Sequence, residues 1–116
     1  MTDSNLDFTA AKLGFSIVKK ATSKKKPKEV ETLINKSLGV LSSNGVYALW
    51  LFLQSEKENE NIDILYLINQ FGIELNGSSK EDEIITLSDD IHNLLFAKEA
   101  IEKTLVYARY HVKAMK

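Results

Sequence analysis

The chain has 116 residues, of which 44% are hydrophobic and 27% charged, and its formal net charge is −1. These values are typical of one globular domain with a modest core and argue against a disordered chain. The sequence has no cysteine, which excludes disulfides and thiolate metal sites, and no apolar run of the roughly 18 residues that a membrane span needs. The first residues carry acids and no basic segment ahead of the apolar residues, unlike a secretory signal, so we expect a cytoplasmic protein.

The near-neutral total hides an uneven distribution of charge along the chain. Residues 1–55 carry eight Lys against four acidic residues, a net charge of +4. Residues 56–90 carry two Lys against ten acids, or −8, and residues 91–116 carry five Lys or Arg against two Glu, or +3. Such a pattern suits a subunit that meets a polyanion on one side and basic partners on the other. The alternative is a domain whose loops are acidic for no functional reason.

The first predicted helix covers residues 5–22, where apolar residues recur every three or four positions. This stripe consists of Leu6, Ala10, Leu13, Ile17 and Ala21, with Phe8, Phe15 and Val18 beside it. Gly14 lies within the helix and costs roughly 1 kcal/mol relative to Ala. A glycine at this position therefore predicts the close approach of another backbone.

The most basic segment of the chain follows this helix. Its six lysines are Lys19, Lys20, Lys24, Lys25, Lys26 and Lys28. Pro27 favours the first position of a helix, so the run is predicted to be the first interhelical loop and its borders. Lysines at this density bind phosphates by releasing counterions, and Lys24, Lys25 and Lys26 are candidates for RNA binding. The alternative is a solvated, mobile loop, and no aromatic residue within the run offers a surface for stacking a base.

The middle of the chain predicts two further helices, over residues 28–41 and about 44–57. Between them the sequence reads Ser-Ser-Asn-Gly at 42–45, which predicts a turn or a helix cap. The helix after this break is apolar on nearly every side and contains the single Trp50. It is therefore expected to be the central, buried helix.

The acidic segment, residues 56–90, is predicted to consist of loops and short helices. Residues 55–61 form an acidic loop, and a fourth helix is predicted over about 62–72 with Asn61 as its N-cap. Gly72 suits the residue just after a helix end. The segment Asn76-Gly77 permits a hairpin turn, but eight residues separate the flanking apolar runs, so a tight hairpin is not indicated. We expect a connecting loop with a short helix near 80–86.

The last third of the chain, Leu87 to Lys116, predicts one long helix of roughly 27 residues, or about 40 Å. Its apolar stripe is Leu87, Ile91, Leu94, Ile101, Leu105, Ala108, Val112 and Met115, with one polar member, Lys98. Ser88 is the expected N-cap, and Asp89 and Asp90 complement the helix dipole. The fold class is thus predicted to be all-α: residues 1–116 form one bundle of about five helices with a long C-terminal helix.

The sequence offers no catalytic constellation. It lacks a Gly-rich phosphate loop, a cysteine nucleophile and a serine in a nucleophile elbow. Its two histidines, His92 and His111, are about 29 Å apart by helical rise, so they do not share a metal within one chain. His92 with Asp89 and Asp90 would suit a bound proton or cation, and the alternative is an exposed cluster at a helix start. We expect no enzyme, no cofactor and no metal site.

The C-terminal helix carries the second candidate binding surface. Off its apolar stripe lie Lys103, Arg109 and Lys113, together with Tyr107, Tyr110 and His111. Cationic side chains interleaved with aromatic rings hold phosphates and stack on sugars or bases. The alternative is a solvated helix face with cations near the helix C-terminus.

Two stretches of the sequence resemble a known family. Residues 41–53, LSSNGVYALWLFL, resemble the mid-chain signature of the small subunit of the type III-B CRISPR (Cmr) RNA-silencing complex, in which a glycine precedes an apolar helix. Residues 97–115, AKEAIEKTLVYARYHVKAM, resemble the closing helix of that family, with Tyr107 and Tyr110 where the family often has tryptophan.

This resemblance implies a non-catalytic subunit of a CRISPR effector ribonucleoprotein. In the family, copies stack in a minor filament beside the backbone that bears the guide RNA, and a basic face helps to hold target RNA. Matching positions of the closing helix make Lys103, Arg109 and Lys113 the implied RNA-binding residues, with Lys98 behind them. The implied partners are other effector subunits, guide and target RNA, and further copies of the chain. The alternative hypothesis is a helical protein–protein interaction module without RNA binding, either a homodimer or a mimic that inhibits the complex.

Overall fold

The computed structural model describes residues 3–115 as an all-helical protein, which confirms the predicted fold class. The helices are α1 (Asp3–Thr22), α2 (Pro27–Ser55), α3 (Ile64–Gln70), α4 (Lys80–Leu87) and α5 (Ile91–Ala114). Residues 3–115 contain no β-strand. Helix α5 contacts each of the other four helices, and α1 and α2 cover most of its apolar face.

Helices α1 and α5 run in the same direction. The ammonium Nζ of Lys103 lies 2.9 Å from Oδ1 of Asp7. About two turns further along both helices, the rings of Phe15 and His111 meet edge to face with their centroids 5.4 Å apart. The two contacts advance in the same order along both helices, so the C-terminal ends of α1 and α5 lie at the same end of the bundle.

Gly14 marks the point where α1 and α5 come closest. A Cβ atom built on Gly14 would lie 2.8 Å from the backbone N of Ala108 and 2.8 Å from the backbone O of Thr104. Only a residue without a side chain permits this approach. The close backbone contact predicted from this glycine is therefore confirmed, and its partner is α5.

The buried face of α5 is narrower and lies closer to its C-terminal half than the predicted stripe. The buried residues of α5 are Ala97, Ala100, Ile101, Thr104, Leu105, Ala108 and Val112. Ile91, the second residue of the predicted stripe, and Met115, the last, are both more than half exposed. The small residues Ala97, Ala100 and Ala108 leave room for the neighbouring backbones, so α5 packs tightly along its middle and projects at both ends.

Helix α2 consists of two helical halves that meet at Gly45. This residue has φ 92° and ψ −173°, a conformation that a side chain disfavours. A straight helix of 29 residues would be about 43 Å long, yet Lys25 before α2 and Glu58 after it form an ion pair. The chain therefore reverses sharply at Gly45, as the sequence at 42–45 predicted, and the two halves correspond to the predicted helices over 28–41 and 44–57.

The second half of α2 is not the central, fully buried helix that its composition predicted. Val46, Leu49 and Leu53 are buried, but Leu51 is exposed and Trp50 is only half-buried. The expectation was wrong because α5, with its small residues, occupies the centre of the bundle. The second half of α2 lies against one side of this centre and keeps an apolar outer face.

The N-caps of two helices differ from those predicted. Helix α5 begins at Ile91 after Asp90, whose carboxylate accepts hydrogen bonds from the backbone N and Nδ2 of Asn93, both at 3.1 Å. Ser88, predicted as this cap, is instead the C-cap of α4, and Leu87 is the last residue of α4. The predicted start was wrong because a separate short helix ends immediately before α5.

The N-cap of α3 was also misplaced, whereas its C-terminal end was correct. Asp63 and not Asn61 caps α3, and its Oδ1 accepts from the backbone N of Tyr66 at 3.1 Å. Gly72 has φ 91° after the last turn, as predicted. The short helix predicted near 80–86 is α4, which Ser79 caps through the backbone N of Asp82 at 3.1 Å.

Lys57 closes α2 in a left-handed conformation, with φ 58°. The backbone N of Glu58 donates to the carbonyl of Leu53 at 2.8 Å, and the backbone N of Lys57 donates to Gln54 at 3.1 Å. This pair of bonds is a Schellman motif, which usually places glycine where Lys57 stands.

Replacing Lys57 by Gly should raise the free energy of unfolding by about 1 kcal/mol. The left-handed conformation costs a residue with a Cβ atom roughly 1–2 kcal/mol, and the greater freedom of glycine in the unfolded chain offsets part of the gain. Urea denaturation measures the change. Glu56→Gly is the control, because Glu56 is right-handed (φ −87°, ψ −1°) and should lose stability. A gain at both positions would contradict this account.

Candidate nucleic-acid interface

The two basic segments of the sequence meet at one end of the bundle. Because α1 and α5 run in the same direction, the last turn of α1 and the loop 23–26 lie at the end where α5 also terminates. We call this region the basic end; its cations are Lys19, Lys20, Lys24, Lys25, Lys26, Arg109 and Lys113. Five of the six RNA-binding candidates thus lie on one part of the molecule, although 83 residues separate Lys26 from Arg109 in sequence.

Lys103, the sixth candidate, lies further from the basic end and is neutralised by α1. Its Nζ donates a hydrogen bond to Oδ1 of Asp7 at 2.9 Å. This hydrogen bond, and then the negative charge of Asp7, raise the pKa of Lys103. The lysine therefore stays protonated, but Asp7 balances its charge and a phosphate would have to compete with the carboxylate.

Two lysines of the loop also have carboxylate partners. Lys25 forms an ion pair with Glu58, whose side chain is buried, and Lys24 lies 3.6 Å from Glu60 at the surface. Both partners belong to the acidic loop that follows α2, which the sharp turn at Gly45 brings back to the start of α2. An exposed pair such as Lys24 with Glu60 is weak and opens readily.

Lys26, Arg109 and Lys113 have no carboxylate partner within residues 3–115. Lys26 and Lys113 are exposed, and Arg109 is half-buried. Arg109 and Lys113 are four residues apart, so they lie one above the other on the same face of α5. Lys103 is six residues from Arg109 and points about 120° away around the helix, towards α1. The predicted trio on α5 therefore divides between two faces.

The structure also exposes two phenylalanines that the sequence placed beside the apolar stripe of α1, and Tyr110, which the sequence placed off the stripe of α5. Phe8 is 70% exposed, Phe15 53% and Tyr110 63%. Phe8 and Phe15 share one face of α1 with Lys12 and Lys19, because all four follow a spacing of three or four residues. The spacing of Phe8 and Phe15 indicates this exposed face in the sequence, because it is offset from the apolar stripe of α1 that is buried. The prediction of the helix used only the buried stripe.

The cluster of His92, Asp89 and Asp90 lies at the start of α5, where Asp90 is the N-cap. Asp90 uses both carboxylate oxygens to cap α5 through Asn93, and His92 is exposed. Within the described range, no group of three or more His, Asp or Glu side chains is placed to hold a metal ion. The capping role of Asp90 explains why an acidic residue stands at this position.

None of the helices described between Asp3 and Ala114 is long and apolar enough to cross a membrane. Scans against protein-family models, curated proteins and solved structures found no match to this chain.

Proposed function

We propose that this protein is a non-catalytic RNA-binding subunit, and more specifically the small subunit of a type III CRISPR effector ribonucleoprotein. The observation that carries the RNA-binding part is the basic end, where separate segments of the sequence place seven cations at the same end of the bundle, two of them paired with Glu58 and Glu60. Clustered Lys and Arg side chains bind the phosphate backbone without regard to sequence. The resemblance of residues 41–53 and 97–115 to the Cmr small subunit carries the more specific part.

Self-association fits the same proposal. The start of α5 exposes Ile91 and Leu95 close to the acidic residues Asp89, Asp90 and Glu99, whereas the other end of the helix is basic. Opposite charges at the two ends of one helix favour head-to-tail contact between copies. Such heterologous contacts build open filaments, as the family resemblance implies.

Charge reversal at the basic end tests RNA binding. Arg109→Glu combined with Lys113→Glu should abolish the retention of single-stranded RNA, because two attractive charges become repulsive. Wild-type binding should be tolerant of sequence and should weaken with salt, with a slope of about −0.7 per phosphate contact. Fluorescence anisotropy of a labelled RNA at several salt concentrations measures both quantities, and circular dichroism checks that helicity is unchanged.

The matched control carries the same change of charge elsewhere on the surface. Lys80→Glu reverses one exposed lysine at the start of α4, and it is compared with Lys113→Glu alone. Lys80→Glu should retain RNA close to the wild-type level, and Lys113→Glu should retain less. Equal losses in these two single variants would show a general charge effect, and full retention by the Arg109 and Lys113 variant would remove the binding role from α5.

The alternative function is a helical protein–protein interaction module that binds no RNA. The exposed aliphatic side chains Ile85, Ile91 and Leu95 favour it, because they suit packing against another protein. Affinity purification of the tagged protein from its own cells separates the two hypotheses. Large CRISPR subunits with a repeat-tagged guide RNA would support the effector subunit, and target cleavage with and without the protein would distinguish a component from an inhibitor. An unrelated protein partner without RNA would support the alternative.

A further inference from the structure

The exposed face of α1 combines aromatic rings with lysines. Phe8, Lys12, Phe15 and Lys19 follow one another along this face, and Phe8 and Phe15 lie about 10 Å apart by helical rise. We call these four residues the aromatic–basic stripe. Opposite it, the buried side of α1 packs on α5 through Gly14, so the rings of the stripe take no part in the core.

The stripe continues onto α5 through its aromatic residues. The ring of His111 meets Phe15 edge to face with ring centres 5.4 Å apart. One residue before His111, Tyr110 is largely exposed. The contact holds Phe15 in place while most of its ring remains open to solvent. Rings fixed in this way offer flat apolar surfaces at little entropic cost.

The charges around the stripe indicate what covers it. Between Phe8 and Thr22 the sequence contains no acidic residue, and the carboxylate of Asp7, just before Phe8, is bound by Lys103. Glu60 and Asp63 line a groove with Ser16 and Lys20, which follow the other side of α1. The exposed apolar side chains at the start of α5 are instead aliphatic and have acidic neighbours. Aromatic rings alternating with cations suit a ligand that carries flat rings on a negatively charged backbone.

We infer that the aromatic–basic stripe binds unpaired nucleobases of single-stranded RNA by stacking on Phe8 and Phe15, while Lys12 and Lys19 hold the adjoining phosphates. This inference rests on the proposed RNA-binding function and extends its surface from the basic end along α1. It specifies single strands as the ligand, because every base inside a duplex is stacked on both faces and only the two terminal pairs have a face free for Phe8 or Phe15.

Phe8→Ala and Phe15→Ala test the inference by anisotropy with a labelled oligouridine and with a blunt RNA duplex of the same length. Each substitution should weaken binding of the single strand at least about fivefold, and binding of the duplex should not change. Phe15→Leu separates stacking from general apolar contact, since it keeps much of the apolar area and removes the ring. It should lose nearly as much affinity as Phe15→Ala. Leu51→Ala, at an exposed apolar site in the second half of α2, is the control and should bind as the wild type does.

The outcomes distinguish this inference from the function on which it rests. Failure of the wild type to bind either RNA would overturn the proposed function itself. Wild-type binding with unchanged affinity in Phe8→Ala and Phe15→Ala, or equal losses for duplex and single strand, would overturn only the stacking. If light scattering showed that these variants no longer self-associate while their RNA affinity is unchanged, the stripe would be a contact between copies of the chain.

Discussion

Gly14→Ala should lower the free energy of unfolding by about 2 kcal/mol, although alanine favours a helix by roughly 1 kcal/mol over glycine. The new Cβ atom would lie 2.8 Å from the backbone of α5 at both Thr104 and Ala108. Neither atom belongs to a side chain that turns aside, so α1 and α5 must move apart along their whole contact. Gly14→Val should cost more because it adds two further carbons.

Gly39→Ala provides the matched control for this prediction. Gly39 also lies within a helix, but a Cβ atom there would meet nothing within 4 Å. The substitution should therefore raise the free energy of unfolding by about 0.5–1 kcal/mol, through helix propensity and the lower entropy of the unfolded chain. Urea denaturation of both variants gives the two changes. If both substitutions changed the free energy of unfolding in the same direction, packing of residue 14 against α5 would not be the cause of the loss in Gly14→Ala.

The helices and the role of Gly14 were predictable from the sequence because they depend on local pattern. Apolar spacing defined α1 and α5, Pro27 marked the start of α2, and Gly45 and Gly72 marked a reversal and a helix end. Each of these signals acts within a few residues of its own position. Such features need no knowledge of what lies across the fold.

The N-caps were harder because several suitable residues stand close together. Ser88 and Asp90 are both good caps, as are Asn61 and Asp63, and the choice depends on where the preceding segment ends. Helix α4 ends at Leu87 and uses Ser88 as its C-cap, which leaves Asp90 for α5. Sequence alone does not rank two such residues.

The partners of the candidate cations were not predictable, because they are far away in sequence. Asp7 lies 96 residues from Lys103, and Glu58 lies 33 residues from Lys25. The positions of positive charge could be located from the sequence, but the carboxylates that pair with Lys25 and Lys103 could not. Only the fold distinguishes the lysines that pair with a carboxylate from Arg109 and Lys113, which have no carboxylate partner within residues 3–115.

Glu58 shows how far composition misleads in the acidic segment. Residues 55–61 were predicted as an acidic loop, and residues 56–61 do lie between α2 and α3, yet Glu58 is only 7% exposed. Its Oε1 accepts from Nζ of Lys25, and its Oε2 accepts from Nδ2 of Asn61 at 2.7 Å. One buried carboxylate thus connects the loop before α2 to the turn before α3.

Glu58→Ala should lower the free energy of unfolding by about 2–3 kcal/mol. The substitution removes a buried anion and leaves Nδ2 of Asn61 without its acceptor, beside an Oδ1 that already has no partner within the described residues. Lys25 is about one-third exposed and regains water, which keeps the cost below that of a fully buried pair. Glu58→Gln preserves the shape of the side chain and should cost less.

Glu60→Ala is the comparison that isolates burial from charge. Glu60 carries the same charge two residues away, and its pair with Lys24 is more than half exposed on both sides. Its removal should change the free energy of unfolding by no more than about 0.5 kcal/mol. Urea denaturation at pH 7 measures both variants. Equal effects would mean that net charge in the loop sets stability, whereas a large loss at Glu58 alone would show that its buried contacts hold the two loops together.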